Sequence, residues 1–455
     1  ALTLNVGVRD DVESIARPPV RNLSPALAAA GLDTSFGPPL RHYVAPRLGA
    51  AWAPARDRLV LRAGYGLFVG RTPSQLTSRA HFQNGVTVAT RTYAGTGPTA
   101  ALIPAYPNSV CGPPESSGAP PSCAAPDMGG APPFLMLFDR DYVAPRFHHA
   151  SSGMEIRIDT DTTVTVSYLL ARGVQLTRLR DVNLGASTAA TITRADTGIA
   201  YEYSRFATPR PLAGFDRVFV FESRASSTYY ALGLQVSRRF ASGVQFLGSY
   251  TLSKVDDDLP DAAPVNPPTN DRALLSDATH PERDWASGNA DQRHRLVFSG
   301  LLDLQSTGWR PQGVGAILAD WKLSGILRAE SGQPYSGILN FDLNNDGNSA
   351  TDRAPVVTRN AFRLPAALAV DLRVTRAFPF ANGHRRLELS CDAFNLFNRA
   401  NIIAVQQQQF FVRENAEACG EGVPQCLVLV PNSAFGTPTE TAGPRILQLA
   451  ARFVF

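Results

Sequence analysis

The sequence contains no uninterrupted apolar run of eighteen or more residues, which excludes a membrane-spanning helix. Hydrophobic residues make up 44% of the chain and the mean hydropathy is −0.09, which also argues against a helical membrane protein. A membrane β-barrel is not excluded, because only alternate residues of its strands face lipid. The composition therefore leaves a soluble protein or a barrel.

Lysine is almost absent, and the net charge of +4 rests on arginine, since Lys254 and Lys322 are the only lysines. We interpret this bias as GC-rich codon usage rather than as a phosphate-binding function. The sequence has no dense basic run interleaved with aromatic residues, so we expect no nucleic-acid partner.

The common catalytic motifs are also missing. The chain has no G-x-S-x-G, H-E-x-x-H or G-x-x-x-x-G-K segment, which would supply a nucleophile, a zinc site or a phosphate cradle. Carboxylates are plentiful, but the sequence pairs none of them in a defined site. We therefore expect that this chain is not an enzyme.

The five cysteines fall as two close pairs and one single residue, Cys391. Cys111 with Cys123 and Cys419 with Cys426 lie in polar segments, which suits two local disulfides in an oxidising compartment. Zinc is the weaker interpretation because no C-x-x-C or Cys/His spacing is present.

Short stretches of alternating apolar and polar residues recur along the whole chain. In Val244 to Ser253, for example, Val244, Phe246 and Gly248 oppose Gln245 and Leu247. A period of two predicts β-strands. About twelve are predicted, near residues 2–9, 45–52, 58–69, 149–158, 163–172, 229–240, 243–254, 293–304, 321–331, 368–378, 385–395 and 445–455.

The connections between these strands alternate between short and long. The short ones lie near residues 53–57, 159–162, 241–242, 305–320 and 379–385. The long ones cover roughly residues 10–44, 70–148, 173–228, 255–292, 332–367 and 396–444. Loops this long are uncommon in compact domains, whereas outer-membrane barrels have short periplasmic turns and long extracellular loops. The pattern predicts an all-β fold, an antiparallel transmembrane β-barrel in a Gram-negative-type outer membrane.

The last strand ends on an aromatic carboxyl terminus. Its apolar face carries Leu449, Ala451, Phe453 and Phe455, and we expect this strand to close a barrel. If Phe455 lies at the periplasmic rim, every long connection falls outside the cell.

Several of these stretches resemble TonB-dependent outer-membrane receptors, most closely the Oar-like kind with an N-terminal carboxypeptidase-regulatory-like domain. The resemblance runs from residue 1 to residue 455. It is carried by L-T-L-N-V-G-V-R (2–9), V-A-P-R-L-G-A-A-W-A-P (44–54), L-V-L-R-A-G-Y-G-L-F-V-G-R (59–71), S-Y-T-L-S-K (249–254), N-A-D-Q-R-H-R-L-V-F-S-G (289–300), L-S-G-I-L-R-A-E-S-G-Q-P-Y (323–335), D-A-F-N-L-F-N-R-A-N (392–401) and the terminal strand.

The resemblance implies uptake of a scarce solute through a twenty-two-stranded barrel around an N-terminal plug. About twelve strands and no plug are visible, so residues 1–455 are expected to form the C-terminal part of a single barrel domain. The implied partners are the TonB–ExbB–ExbD system through the missing N-terminal region, the barrel-assembly machinery that reads the aromatic terminus, outer-membrane lipid with lipopolysaccharide, and an unknown extracellular ligand. The alternative is a non-transporting surface protein, an adhesin or secretion-linked barrel that binds macromolecules through its long loops.

One compact segment has the residue types of a cation site. Oxygen-bearing side chains at alternate positions with glycine at the sixth match the D-x-[DN]-x-[DN]-G calcium loop. The candidate ligands are Asp342, Asn344, Asp346, Asn348 and Asp352, with Gly347 at the turn. The twelfth position, a glutamate in calcium loops, is Arg353. A polar turn rich in Asn and Asp is the alternative to bound Ca²⁺.

Two other charged groups are interpreted as structural. Asp256, Asp257, Asp258 and Asp261 are expected to form a solvated loop beyond a strand end. Asp291, Arg293 and Arg295 stand at a strand start, where we expect ordinary pairing between charges.

Overall fold

The computed structural model describes residues 1–55, 58–90, 132–258, 274–308, 320–380, 385–414 and 427–455. Almost all of its regular structure is β. Two helices, α1 (Pro25–Ala29) and α2 (Ser74–Phe82), and a 3₁₀ turn at Pro281–Asp284 accompany the strands. In the described residues, no helix combines the length and the apolarity needed to cross a membrane.

The described strands are, in chain order, β1 (Leu2–Glu13), β2 (Arg41–Ala55), β3 (Leu59–Val69), β4 (Leu135–Phe138), β5 (Arg146–Arg157), β6 (Thr162–Asp181), β7 (Ser187–Arg194), β8 (Ala200–Phe206), β9 (Val218–Ala241), β10 (Val244–Asp257), β11 (Ala286–Ser287), β12 (His294–Asp303), β13 (Trp321–Glu330), β14 (Pro334–Tyr335), β15 (Phe362–Arg363), β16 (Ala367–Phe380), β17 (Arg385–Phe394), β18 (Ile402–Val405), β19 (Phe410–Glu414), β20 (Leu427–Pro431), β21 (Pro438–Thr441) and β22 (Ile446–Val454).

Twelve of these strands form one continuous antiparallel wall. Their order is β1-β2-β3-β5-β6-β9-β10-β12-β13-β16-β17-β22, so each wall strand pairs with the next wall strand along the chain. Each of the twelve strands predicted from alternation corresponds to one wall strand. The predicted strand count, the antiparallel order and the short and long connections are therefore confirmed.

The register keeps one face of the wall apolar across its width. One row of partners runs through ten strands without a charged residue: Leu2, Trp52, Leu61, Met154, Val166, Leu234, Tyr250, Leu296, Ala329 and Leu368. The neighbouring row on the other face is small or polar: Thr3, Ala51, Arg62, Gly153, Ser167, Gly233, Thr251, Arg295, Glu330 and Ala367. A register shift of one residue would move the apolar side chains of a strand to the polar face. The alternation of apolar and polar residues therefore specifies the register of strand pairing.

Charges on the polar face pair across strands. Arg62 contacts Glu155 at 3.2 Å, and Arg328 contacts Asp371 at 3.3 Å. Cys391, a free and exposed thiol, lies on the apolar face opposite Leu449 and Val374, as its position in the alternation predicts.

Irregular pairing in the wall falls near the ends of two strand pairs and at one bulge inside β6. Register shifts fall between Trp52 and Ala55 and between Val244 and Phe246, beside short turns. Two more shifts lie between Gly173 and Thr177 and form a bulge, where Gln175 has a φ of +56°. Beyond this bulge β6 and β9 continue past the wall, and the simple two-face alternation ends.

The long connections fold into a second layer over one rim, which we call the cap. The buried apolar clusters of the described chain lie here: one surrounds Phe219 and Phe221, a second Val218 and Leu135, and a third Leu339. Every side chain of β4 is buried, and β4 pairs in parallel with the outer end of β9. A short run that is apolar on both faces suits such a buried strand.

A test of the wall compares adjacent residues of β12. Phe298 lies on the apolar face opposite Gly248 and Leu327, whereas Ser299 lies on the polar face. Phe298→Arg should lower the free energy of unfolding by about 2–4 kcal/mol, because it places a charge near the middle of the lipid layer. Ser299→Arg should change it by less than about 1 kcal/mol. Chemical unfolding in lipid vesicles measures both, and equal losses would contradict the assignment of faces.

Candidate functional site

The segment from Asp342 to Asp352 is a turn in the cap, within the connection between β13 and β16. Gly347 has a φ of +88°, so the sharp turn predicted at this glycine is confirmed. Asn345 also has a positive φ, of +63°. Four of the five candidate ligands, Asn344, Asp346, Asn348 and Asp352, are buried.

The oxygen atoms of this segment accept hydrogen bonds from its own backbone. Both carboxylate oxygens of Asp342 accept, from the N–H groups of Asp346 and Gly347 at 3.0 Å each. Asp346 Oδ1 accepts from the Asn348 N–H at 2.7 Å, and Asp352 accepts from the Leu343 N–H. These contacts are those of a polar turn built by Asp and Asn side chains.

The three carboxylates also repel one another. Burial, reinforced by the neighbouring Asp342 carboxylate, raises the pKa of Asp346 to about 7. Burial followed by the charges of Asp346 and Asp342 raises the pKa of Asp352 well above its ordinary value. Each shift disfavours the charged form.

Two arginines bring positive charge to the same turn. Arg210 donates to the Asp346 carbonyl at 2.6 Å and to Asp181 Oδ2 at 2.7 Å. Arg217 donates to the Gly347 carbonyl at 3.2 Å. Asn344 and Asn345 donate to the carbonyls of Ser276 and Phe206, so the turn ties three connections together.

Within the residues that the structure describes, no group of three or more His, Cys, Asp or Glu side chains could hold a metal ion. A cavity of about 20 Å³ touches Asp346 and Asn348, and Asp181, Arg180 and Arg217 are the other charged residues that line it. Calcium in this turn stays a prediction.

A larger polar cavity lies beside the turn, and we call it the cap pocket. Its volume is about 270 Å³, and its walls come from the connections β10–β12, β13–β16 and β17–β22. The polar side chains that line it include Asp284, Asn289, Gln333, Tyr335, Arg353 and Asn360.

Buried ion pairs hold this pocket. Arg353 donates to Asp284 Oδ1 at 2.7 Å and to Ser276 Oγ at 2.9 Å. Arg359 pairs with the Asp257 carboxylate and donates to the Asp257 carbonyl at 2.7 Å. The expectation of a solvated loop is wrong for Asp257, because it is buried and compensates the charge of Arg359. Asp261 lies outside the described residues.

The backbone at the pocket mouth depends on a glycine. A Cβ at Gly332 would lie 1.6 Å from the Leu364 carbonyl oxygen, so a larger residue cannot fit there. The Gln333 carbonyl next to it accepts from the Leu364 N–H at 2.9 Å. Tyr335 stacks on Phe362 at 5.6 Å between ring centroids, and burial raises the pKa of its phenol.

Sequence reasoning missed this pocket. The sequence signal for it is Arg353, which stands where the calcium pattern has a glutamate. A positively charged side chain at this position indicates that the chain itself supplies a partner for the nearby carboxylates. The expected pairing at the strand start is confirmed, since Arg293 contacts Asp291 at 2.8 Å and Arg295 contacts Glu330 at 3.1 Å.

The polar face of the wall carries a hollow of about 490 Å³. Leu247 and Ile326 contribute exposed apolar surface to it. Arg373 and Asp392 form its charged border, with Nη2 and Oδ2 2.7 Å apart.

The remaining predicted residues have different outcomes. Leu449, Ala451 and Phe453 lie in β22, which pairs with β17, and the ring of Phe455 stacks on Phe453 at 5.9 Å. Closure of a barrel by this strand stays a prediction. Cys111, Cys123, Cys419 and Cys426 lie outside the described residues, so both disulfides also stay predictions.

The raised pKa values make the cap sensitive to pH. Asp346 has a higher pKa in the folded state than in the unfolded chain, so it favours folding at low pH. This contribution is lost as pH rises from about 4 to about 7, with a slope of at most about 1.4 kcal/mol per pH unit. Hydrogen exchange of the amides of residues 342–352 should therefore show less protection at pH 8 than at pH 5.

Asp346→Asn should flatten this dependence, although Asp342 and Asp352 contribute in the same direction. Ca²⁺ at pH 8 should restore protection if the turn binds the ion and should have no effect if it is a polar turn alone. A protection that rises with pH would contradict the assignment.

A family model described as an outer membrane beta barrel domain matches residues 1–358 and 356–448. No curated protein matches the sequence. Among solved structures, the outer membrane transporter YddB from Escherichia coli is 10% identical, with a TM-score of 0.47, over 90% of this chain and 40% of that one.

Two further solved structures are similar at the same level. The FrpB iron transporter from Neisseria meningitidis is 11% identical, with a TM-score of 0.45, over 99% of this chain and 42% of that one. BauA, the ferric preacinetobactin receptor from Acinetobacter baumannii, is 11% identical, with a TM-score of 0.40, over 99% of this chain and 40% of that one. The chain thus spans about two fifths of the length of these proteins.

The family match covers nearly the whole chain and agrees with an antiparallel wall that is apolar on one face and polar on the other. The chain belongs to the outer membrane beta barrel domain family, and its place is the outer membrane.

Proposed function

We propose that this barrel takes up a solute across the outer membrane with energy supplied through TonB, as the C-terminal portion of an Oar-like receptor. The observation that carries the proposal is the cap pocket, a built polar cavity on the rim with the long extracellular loops. A solute arriving from outside meets this cavity before it reaches the lumen. The barrel would perform no chemistry on the solute.

The lumen wall supports the same proposal. Leu247 and Ile326 are each more than two fifths exposed on the face that also carries the ion pair of Arg373 and Asp392. Exposed apolar side chains beside ion pairs favour contact with another protein surface. We propose that a plug packs on this hollow and that TonB, with ExbB and ExbD, acts on the plug.

The edges of the wall support a larger barrel. Among the described residues, β1 pairs with β2 and β22 pairs with β17, which leaves one edge of each strand without a partner. Hydrocarbon offers no hydrogen-bond partners, so membrane strands must close into a barrel. We propose that further strands complete the wall toward about twenty-two, that the barrel-assembly machinery recognises the Phe455 terminus, and that lipopolysaccharide surrounds the apolar face.

The proposal predicts uptake that requires energy coupling. Cells that express the full-length protein should deplete a solute from dilute defined medium, and deletion of TonB or collapse of the proton gradient should reduce the rate at least tenfold. Mass spectrometry of the spent medium measures the depletion. A matched strain without the protein is the control.

Depletion that survives the loss of TonB would contradict the proposal. Binding of whole cells to a macromolecular surface without any depletion would instead favour the adhesin or secretion-linked alternative.

A further inference from the structure

The cap pocket has the charge balance of a site for a neutral ligand. Its two guanidinium groups each have a buried carboxylate partner, Asp284 for Arg353 and Asp257 for Arg359. An anion in this buried site would find no unpaired positive charge. Nothing would then offset the free-energy cost of removing the anion from water. A cation would also lose its hydration, and it would lie beside the two positively charged arginines.

The rest of the polar lining consists of amides and hydroxyls. Asn289, Asn360, Gln333 and Gln407 contribute amide side chains, and Tyr335 and Ser336 contribute hydroxyls. Each of these groups can both donate and accept hydrogen bonds. Such a lining matches a ligand whose own groups also donate and accept, which is the property of a carbohydrate hydroxyl.

The amides are held in fixed positions. Asn360 donates to the Ser287 carbonyl at 2.7 Å and to Asn289 Oδ1 at 2.8 Å, and Ser336 donates to Asn360 Oδ1 at 3.3 Å. A preorganised polar lining loses little entropy when a ligand binds.

One buried donor in this lining has no partner. The Arg353 side chain is only 9% exposed, and its Nε–H makes no hydrogen bond. Leaving such a group unpaired is unfavourable, and a ligand oxygen that reached it would satisfy the donor. Arg353 lines both the cap pocket and the neighbouring cavity that contains Ser204 and Thr358.

We propose that the cap pocket binds a neutral saccharide unit through its amides, hydroxyls and Arg353. The volume of about 270 Å³ lies just below the roughly 300–1,000 Å³ of pockets for drug-sized ligands, which suits one or two sugar rings. The assignment of this saccharide as the transported solute rests on the proposed function, whereas its binding does not.

The test titrates the full-length protein in lipid nanodiscs with glucose, galactose, N-acetylglucosamine and maltose, and separately with citrate and inorganic phosphate. Isothermal titration calorimetry should detect at least one neutral sugar and neither anion. Gln333→Ala and Tyr335→Phe should each weaken sugar binding about fivefold to tenfold, as expected for the loss of one hydrogen bond. Tyr335→Phe retains the ring that stacks on Phe362 and so preserves the fold of the cap.

Ser204→Ala is the matched control, because Ser204 lines the neighbouring cavity, and its sugar affinity should equal that of the unchanged protein. The inference is overturned if no sugar binds, if citrate or phosphate binds instead, or if both pocket variants bind the sugar normally.

Uptake separates this inference from the proposed function. Pocket-dependent sugar binding without TonB-dependent depletion supports the saccharide site and overturns the transport proposal. TonB-dependent depletion of another solute, unaffected by Gln333→Ala and Tyr335→Phe, supports transport and overturns the assignment of the saccharide as the transported solute.

Discussion

Backbone hydrogen bonding between neighbouring strands is the constraint on which this structure depends. Inside a lipid layer, each N–H and C=O group must find a partner in the protein, because hydrocarbon provides none. Apart from the outer edges of β1 and β22, the twelve wall strands meet this requirement by pairing in sequence order, and regular pairing forces the side chains into two constant faces. Register shifts lie near the ends of β2–β3 and β9–β10 pairing and at the bulge inside β6, where β6 and β9 pass from the wall into the cap.

A wall with one lipid face and one lumen face has no conventional core, so the core of this chain lies in the cap. The bulge at Gly173 to Thr177 marks the change from the two-faced wall to the buried cap. On the wall side of the bulge, β6 and β9 direct their side chains alternately to the two faces. On the cap side, their side chains are buried among the long connections. Glu222 is nearly fully buried there, with Arg178 Nε at 2.6 Å and Arg180 Nε at 2.8 Å, a desolvated cluster that depends on the shielding by the cap.

The polar turn and the cap pocket solve the same electrostatic problem in different ways. In the turn, Asp342, Asp346 and Asp352 lie close together and their pKa values rise, so part of the negative charge is removed by protonation. In the pocket, Arg353 and Arg359 each meet one carboxylate, and the charge is removed by pairing. The first arrangement responds to pH, and the second leaves amides and hydroxyls to select a ligand.

The sequence alone determined the twelve wall strands, their antiparallel order, the sorting of connections and the sharp turn at Gly347. These features depend on periodicity and on local backbone preference, which a linear sequence displays directly. The tertiary structure alone decided the cap pocket and the partners of the turn. Arg359 reaches Asp257 across 102 positions, and Arg210 reaches the Asp346 carbonyl across 136. No local pattern encodes such pairs, because irregular connections carry no period that fixes which side chains meet. For this reason Asp257 was predicted to be solvated and is instead buried against an arginine.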